Sequence, residues 1–159
     1  MARDRKRGDD GSGGKERRAP AVVLVVNDDP DACELLVRMV GTAGYRAIGA
    51  TTDTEARAQI MSELPRCVVL DMTSGGVGSS LKVLDLIRSN EDTRVSSARV
   101  VLCASSPKNR SFSFQSGADA FVVRPFHIDD LLREIADVLQ RPNEDRARHR
   151  RDELARHAE

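Results

Sequence analysis

Residues 21–31 read AVVLVVNDDPD, in which a run of six apolar residues stops abruptly at polar and acidic ones. An uninterrupted apolar run of this length is typical of a strand that is buried on both faces of a parallel sheet. Similar runs recur along the chain, and segments with apolar residues at helical spacing separate them. This alternation predicts an α/β domain in which helices cover both faces of one parallel sheet.

The spacing predicts five strands and five helices in alternation. Strands are expected at 21–26, 45–50, 67–70, 98–104 and 119–123, and helices at 30–41 (or as far as 44), 53–61, 81–87, 108–116 and 128–139. The fourth helical segment, KNRSFSFQS, alternates apolar and polar residues with a period of two, so we expect it to be short or mobile. Asp129 or Asp130 is expected to cap the fifth helix.

The chain has no net charge, but its charges are unevenly distributed. Its 159 residues carry 25 basic and 25 acidic side chains, of which 12 and 16 fall within residues 21–140. Because a phosphate-binding surface needs clustered Lys and Arg, the acidic middle disfavours nucleic-acid binding. The length fits one domain, and no apolar stretch is long enough for a membrane span or resembles a signal peptide, so we expect a cytoplasmic protein.

Three cysteines, Cys33, Cys67 and Cys103, each lie within an apolar segment and form no CxxC pair. An odd number of cysteines without metal-ligand spacing argues against disulfides and against a zinc site. We therefore expect these thiols to be buried and reduced.

Two charged tails flank the predicted domain. Residues 1–20 contain glycines and charges but almost nothing apolar, which predicts a disordered tail. The alternative is an arm that binds nucleic acid or a membrane surface through its basic residues: Arg3, Arg5, Lys6, Arg7, Lys15, Arg17 and Arg18. Residues 141–159 are rich in helix formers but have only Leu154 as a sizeable apolar anchor, which favours an exposed helix with a solvated charge run over a partner-binding helix.

Polar side chains follow four of the predicted strands. Asn27, Asp28 and Asp29 follow the first, Asp71 follows 67–70, Cys103 to Ser106 end 98–104, and Arg124 with Pro125 follows 119–123. Ligands of open parallel sheets bind at the carboxyl ends of the strands. Converging carboxylates repel each other unless a cation lies between them, and their oxygens suit Mg²⁺. Asp71 could then act as a nucleophile toward a phosphoryl donor while an arginine neutralises the phosphoryl oxygens; Asp29 and Asp31 are better explained as helix-capping acids.

Five segments carry a family resemblance: VLVVNDDPD (23–31), VVLDM (68–72), VVLCA (100–104), SGADAFVVRPF (116–126) and IDDLLREIADVL (128–139). In this order and spacing they resemble the receiver domain of two-component response regulators. The resemblance covers residues 21–140 and implies a flavodoxin-like (βα)5 fold, a doubly wound parallel sheet with strand order 2-1-3-4-5.

The resemblance also implies roles for individual residues. Asp71 matches the phosphoacceptor, and it would bind Mg²⁺ together with Asp28 and the backbone carbonyl of Thr73. Phe121 matches the aromatic switch position. Pro125 matches a proline that follows a cis peptide bond.

Four features depart from the family pattern. Asn27 replaces an acid, so it would contribute to the metal site weakly or through a water molecule, and weak Mg²⁺ binding is expected. Cys103 replaces a hydroxyl residue that contacts the phosphoryl group, and a thiol is a poor donor; Ser105 or Ser106 could substitute if the loop is rearranged. Arg124 stands where the family has a lysine, so a planar guanidinium replaces a compact ammonium group while the positive charge is kept. The loop MTSGGVGSS (72–80) lacks the family's usual proline and Asp/Asn-Gly pair, and its three glycines predict a flexible loop.

These residues favour a stand-alone, atypical response regulator receiver that accepts a phosphoryl group on Asp71 from a histidine kinase or phosphotransfer protein and is not a turnover enzyme. Only 19 residues follow Gln140, so we expect no DNA-binding domain and an output by protein contact through the fourth helix, fifth strand and fifth helix. The alternative is a phosphorylation-independent pseudo-receiver that acts as an interaction or dimerisation module. Homodimerisation is compatible with either hypothesis.

Overall fold

The computed structural model describes residues 19–74 and 76–156, which contain a five-stranded parallel sheet in the order β2-β1-β3-β4-β5. The strands are β1 (Val22–Val26), β2 (Arg46–Ala50), β3 (Cys67–Leu70), β4 (Arg99–Ala104) and β5 (Ala120–Val123). All four strand pairings are parallel, with Val26 of β1 beside Leu70 of β3 in the centre. The predicted flavodoxin-like fold and strand order are confirmed.

Helices connect the strands and cover both faces of the sheet. They are α1 (Pro30–Thr42), α2 (Asp53–Glu63), α3 (Val77–Arg88), α4 (Arg110–Gln115), α5 (Ile128–Gln140) and α6 (Asn143–Arg156); a helical turn, Thr93–Ser96, precedes β4, and a 3₁₀ turn, Pro107–Asn109, precedes α4. The helix α4 is short, as predicted, whereas α3 begins earlier than predicted, after Gly76 with a positive φ of 66°.

Helix starts follow local capping rules at α1 but not at α5. The Asp29 side chain accepts hydrogen bonds from the backbone N–H groups of Asp31 and Ala32, which confirms its capping role. The prediction that Asp129 or Asp130 caps α5 is wrong, because the N-cap residue is His127 and makes no side-chain cap bond. Both acids lie instead in the first turn, where their charge favours the positive end of the helix dipole.

The core consists of two apolar layers, one on each face of the sheet. Strand residues that alternate in sequence enter different layers: Leu24 packs with residues of α2, α3 and α4, whereas Val23 packs with residues of α1 and α5. This is the expected consequence of the two-residue period of a strand. All three cysteines are buried free thiols, as predicted.

The C-terminal segment is helical, as predicted, but it is not a solvated charge run. One face of α6 packs against the domain: Arg146 is buried, Leu154 contacts the core, and the His149 ring lies edge-on to Phe114 of α4 at 6.3 Å between centroids. Arg146 also pairs with the buried carboxylate of Asp119. The prediction of a solvated helix is wrong because Asp119, which is distant in sequence, gives Arg146 of this helix a buried ion-pair partner.

The disordered tail predicted at residues 1–20 lies outside the described residues except for Ala19 and Pro20, and residues 157–159 also lie outside. Within the described ranges, no helix has the length and apolar character needed to cross a membrane.

Candidate functional site

The predicted site residues converge at the carboxyl ends of β1, β3 and β5. Asp71 follows β3 directly and is buried, and its backbone N–H donates to the carbonyl of Val26 at 2.8 Å. This bond extends the β1–β3 ladder to the residue that carries the carboxylate. The sheet therefore fixes the backbone of Asp71 beside Asn27.

Two different side chains hold the two carboxylate oxygens of Asp71. The Nδ2 of Asn27 donates to Oδ2 at 3.1 Å, and the guanidinium of Arg124 forms an ion pair with Oδ1. Burial raises the pKa of Asp71 and the nearby charge of Asp28 adds to this, while Arg124 and Asn27 oppose it. A neutral amide thus replaces the second negative charge that an acid at position 27 would place against this carboxylate.

Asp28 is held by the loop that follows β3. Its carboxylate accepts hydrogen bonds from the backbone N–H of Thr73 at 2.9 Å, from the Thr73 hydroxyl at 2.7 Å, and from the backbone N–H of Ser74. Burial raises the pKa of Asp28, but the hydrogen bonds from Ser74 and Thr73 outweigh it and hold the pKa far below the usual range. Asp28 therefore stays ionised and fixes the position of this loop.

Two carboxylates, Asp28 and Asp71, lie near each other in the site, and the resemblance adds the Thr73 carbonyl as an expected metal ligand. These hard oxygens fit Mg²⁺, which keeps several water ligands and needs few protein ligands. The carboxylate oxygens already accept hydrogen bonds from protein groups, with which a cation would have to compete. Across residues 19–74 and 76–156, no three His, Cys, Asp or Glu side chains form a group that could hold a metal.

Arg124 reaches Asp71 from the end of the edge strand β5. The Arg124–Pro125 peptide bond is cis, as the resemblance implies. The planar guanidinium can bind two oxygens side by side, which suits a carboxylate and equally a phosphoryl group. Arg124 is therefore placed to neutralise negative charge at Asp71.

Cys103 lies close to Asp71 but is wholly buried, in the apolar layer shared with α1 and α5. Burial raises the pKa of its thiol well above the usual value, and the negative charge of Asp71 adds to this. Ser106 uses its hydroxyl to accept a hydrogen bond from the Lys108 N–H, while Ser105 is exposed. The Ser106 hydroxyl is thus already hydrogen-bonded within the loop, and Ser105 is the more exposed of the two predicted substitutes.

We expect all three thiols to resist alkylation in the folded protein at mildly alkaline pH, because burial raises the pKa values of Cys33, Cys67 and Cys103. Intact mass after treatment with iodoacetamide should be unchanged, and the same treatment in denaturant should modify all three. Native labelling of Cys103 at the denatured rate would show that the loop after β4 opens readily.

Phe121 on β5 is buried, with the guanidinium of Arg110 lying 5.1 Å from its ring centroid. Arg110 begins α4 and also faces Glu153 of α6, at 3.8 Å. The aromatic position thus contacts the C-terminal helix through Arg110. Sequence reasoning missed this connection because the contacts join residues that no local pattern relates.

A shallow cavity of about 250 Å³ opens beside Asp28. Its lining residues include Asp53, Ser74, Ser79 and Lys82. Sequence reasoning singled out none of these four for the site, although Ser74 follows the acceptor closely in the glycine-rich loop. The cavity leaves Asp28 accessible from the side of α2 and α3.

Comparison with known proteins gives a consistent set of relatives. The family model for the response regulator receiver domain matches residues 23–136. The chain is 31% identical over 126 residues to response regulator MprA of Mycolicibacterium vanbaalenii, an alignment that covers 79% of this chain and 53% of MprA. It is 29% identical over 119 residues to transcriptional regulatory protein PrrA of Mycobacterium tuberculosis, covering 75% and 50%. The chain thus spans about half the length of these curated relatives.

Solved structures share the fold. Response regulator TrrA of Thermotoga maritima, in complex with Mg²⁺-BeF, aligns with a TM-score of 0.63 and 29% identity, covering 74% of this chain and 98% of that one. A putative response regulator from Chloroflexus aurantiacus aligns with a TM-score of 0.67 and 23% identity over 77% and 99% of the two chains, a likeness of fold alone.

Proposed function

The chain belongs to the response regulator receiver domain family, and on that premise we propose that it is an atypical receiver that accepts a phosphoryl group on Asp71. The observation that carries this proposal is the pairing of a buried carboxylate at the end of β3 with Arg124 at the end of β5. A histidine kinase or a phosphotransfer protein would supply the phosphoryl group. Asp71 would take part in a single transfer and not in turnover of a separate substrate.

In the proposed reaction an oxygen of Asp71 attacks the phosphorus of the donor. The bond from phosphorus to the leaving group breaks with its electron pair, and the product is an acyl phosphate. Arg124 must release one Asp71 oxygen for this attack, after which its guanidinium is placed to bind the new phosphoryl oxygens. A bound Mg²⁺ would neutralise charge on the transferring oxygens.

We propose that Mg²⁺ binds weakly, because Asn27 supplies no negative charge and because the oxygens of Asp28 and Asp71 are already engaged. Replacing Asn27 by Asp is expected to raise the Mg²⁺ affinity by about tenfold or more, since affinity rises with the number of charged ligands. Isothermal titration at fixed ionic strength measures the change. Equal affinities for the wild type and Asn27→Asp would contradict this account of the metal site.

The direct test is incubation of the purified protein with a small phosphodonor and Mg²⁺, followed by intact mass measurement. We expect the gain of one phosphoryl group, removable by hydroxylamine as an acyl phosphate should be. Peptide mapping should place the modification on Asp71. A chain that gains no phosphoryl group from small donors or from a histidine kinase would refute the proposed function.

The second candidate function is a pseudo-receiver that binds partners or a second copy without phosphorylation. It is favoured by the hydrogen bonds and the ion pair that satisfy Asp28 and Asp71 within the protein. The two functions differ in one outcome. Partner binding that is the same in wild type and Asp71→Asn, with and without phosphodonor, would favour the pseudo-receiver.

Output is proposed to occur by contact of a downstream protein with the surface formed by α4, β5 and α5. Phe112 on α4 is 60% exposed and offers an apolar contact there. Because α6 packs against α4, it belongs to the surface that a partner meets. The buried reduced thiols fit a reducing compartment, so we propose that the protein acts in the cytoplasm.

A further inference from the structure

The amino-terminal edge of the sheet, opposite the Asp71 site, holds a second cluster of charged groups. We propose that α6 completes a binding site for a phosphate group there, formed where the guanidinium groups of Arg88, Arg146 and Arg150 surround the single carboxylate of Asp119. This site is independent of the proposed phosphoryl acceptor.

The cluster carries more positive than negative charge. Asp119 is buried, with only 1% of its side chain exposed. Its Oδ1 accepts from Arg146 at 2.9 Å and from Arg150 at 3.4 Å, and its Oδ2 accepts from Arg88 at 2.9 Å and from Arg146 at 3.0 Å. Three guanidinium groups therefore share one carboxylate, which leaves two positive charges in excess.

The three arginines differ in what they could give a ligand. Arg88 and Arg146 each make five hydrogen bonds, to Asp119 and to carbonyl or amide oxygens, which is the full number of guanidinium N–H groups. They supply charge and rigidity. Within the described residues Arg150 donates one hydrogen bond, to Asp119, and its side chain is 27% exposed and lines a cavity, so it has N–H groups left to offer a ligand.

A shallow cavity of about 280 Å³ adjoins the cluster. It is lined by Arg88, Ser96, Ser97, Asn143, Arg146, Ala147 and Arg150, a set that includes no acid among the described residues. Asn143 and Ser96 can add neutral donors beside Arg150. The first turn of the 14-residue helix α6 also borders the cavity, but it carries Glu144 and Asp145, so the helix dipole adds little and the arginines must supply the attraction for an anion.

The charge balance favours a phosphate dianion over a carboxylate. Two excess positive charges match the two negative charges of hydrogen phosphate, whereas a carboxylate would leave one positive charge unmatched. Burial lowers the pKa of Arg88 to about 10, and although Asp119 opposes this, the neighbouring Arg146 and Arg150 add to it. That repulsion is what a bound anion would relieve.

The test is a backbone amide NMR titration with inorganic phosphate at constant ionic strength, in EDTA so that no metal occupies the Asp71 site. We expect saturable shifts confined to residues 96–98 and 143–150, and a rise in melting temperature beyond that given by sodium chloride. Adenosine monophosphate, titrated in parallel, distinguishes the source of the phosphate: tighter binding than inorganic phosphate would indicate a phosphorylated small molecule as the ligand.

Two variants with the same change in net charge provide the control. Arg150→Gln should weaken phosphate binding by about tenfold or more, because it removes the guanidinium donors that Asp119 does not use. Arg148→Gln, which alters an exposed pair with Asp145 on the same helix, should leave the affinity within about twofold. Arg150→Lys retains the charge without the planar fork and should give an intermediate affinity.

Three results would overturn the proposal. They are an absence of saturable shifts, equal weakening by Arg150→Gln and Arg148→Gln, or shifts that centre on Asp71 and Arg124. Because Asp71 lies at the opposite edge of the sheet, Asp71→Asn should bind phosphate as the wild type does, so failure of either function leaves the other testable.

Discussion

Replacing Asp119 by Asn is expected to lower the free energy of unfolding by about 3–5 kcal/mol, the usual cost of removing one partner from a buried ion pair. Asp119 is buried and holds Arg88 and Arg146 at 2.9 Å each, and its Oδ2 also accepts from the backbone N–H of Val100 at 2.9 Å. An amide at this position has no charge and presents donors to the two guanidinium groups. The guanidinium groups of Arg88 and Arg146, whose side chains are 21% and 10% exposed, would then lack the carboxylate that balances their charge.

Urea unfolding followed by circular dichroism measures this effect. The control is Asp145→Asn, which removes the acid of an exposed ion pair with Arg148 on α6 and should change the unfolding free energy by less than about 1 kcal/mol. The Asp119 variant should also loosen α6, visible as faster amide exchange in residues 143–156. Equal stabilities of the two variants would show that the buried cluster does not hold the helix.

Replacing Asp71 by Asn is expected to abolish phosphoryl transfer to the chain. The side-chain amide of Asn is not a nucleophile at neutral pH. In the wild type, Asn27 and Arg124 donate to the two carboxylate oxygens of Asp71, and the variant replaces one of these acceptors by an NH₂ donor. Intact mass after incubation with the phosphodonor should show no modified protein in this variant. The wild type should be modified under the same conditions.

The matched control for that loss is Asp137→Asn, which removes an exposed acid from α5 away from the site. It should be modified like the wild type. Both variants should be checked for folding by circular dichroism before the comparison. A phosphoryl group on the Asp71 variant would mean that another side chain is the acceptor.

The sequence predicts the positions of Asp28, Asp71 and Arg124 well, for a physical reason. Each lies just beyond a buried strand, and in a parallel sheet the ends of such strands meet at one edge. Apolar runs are visible in sequence because both faces of the strands are covered. The convergence of these side chains therefore follows from strand assignment alone.

Two features of the site could not be predicted in this way. The hydrogen bonds from Thr73 and Ser74 to the Asp28 carboxylate depend on the backbone path of a glycine-rich loop, and no periodic sequence pattern predicts such a path. The burial of Phe121 beneath Arg110 depends on a helix of only six residues with weak helical propensity. Both are tertiary contacts whose partners are set by geometry outside the local sequence.

Charge composition alone does not predict that α6 packs against the domain. The segment 143–156 is dominated by charges, which usually indicates solvation. Arg146 and Arg150 lie one turn apart on one face of the helix, and their shared partner, Asp119, is 27 and 31 residues away in sequence. A buried acid inside an apolar segment is the signal that could have indicated a distant cationic partner.

The most direct test of the receiver account is a backbone amide NMR titration of the wild type with Mg²⁺ and then with beryllofluoride, a phosphoryl mimic, repeated with Asp71→Asn. We predict saturable shifts at Asp28, Asp71 and Arg124 that spread to Phe121 and α5 in the wild type and are absent in the variant. A wild type that gives no response to beryllofluoride at saturating Mg²⁺, or a variant that responds equally, would contradict the central claim that Asp71 is a working phosphoacceptor.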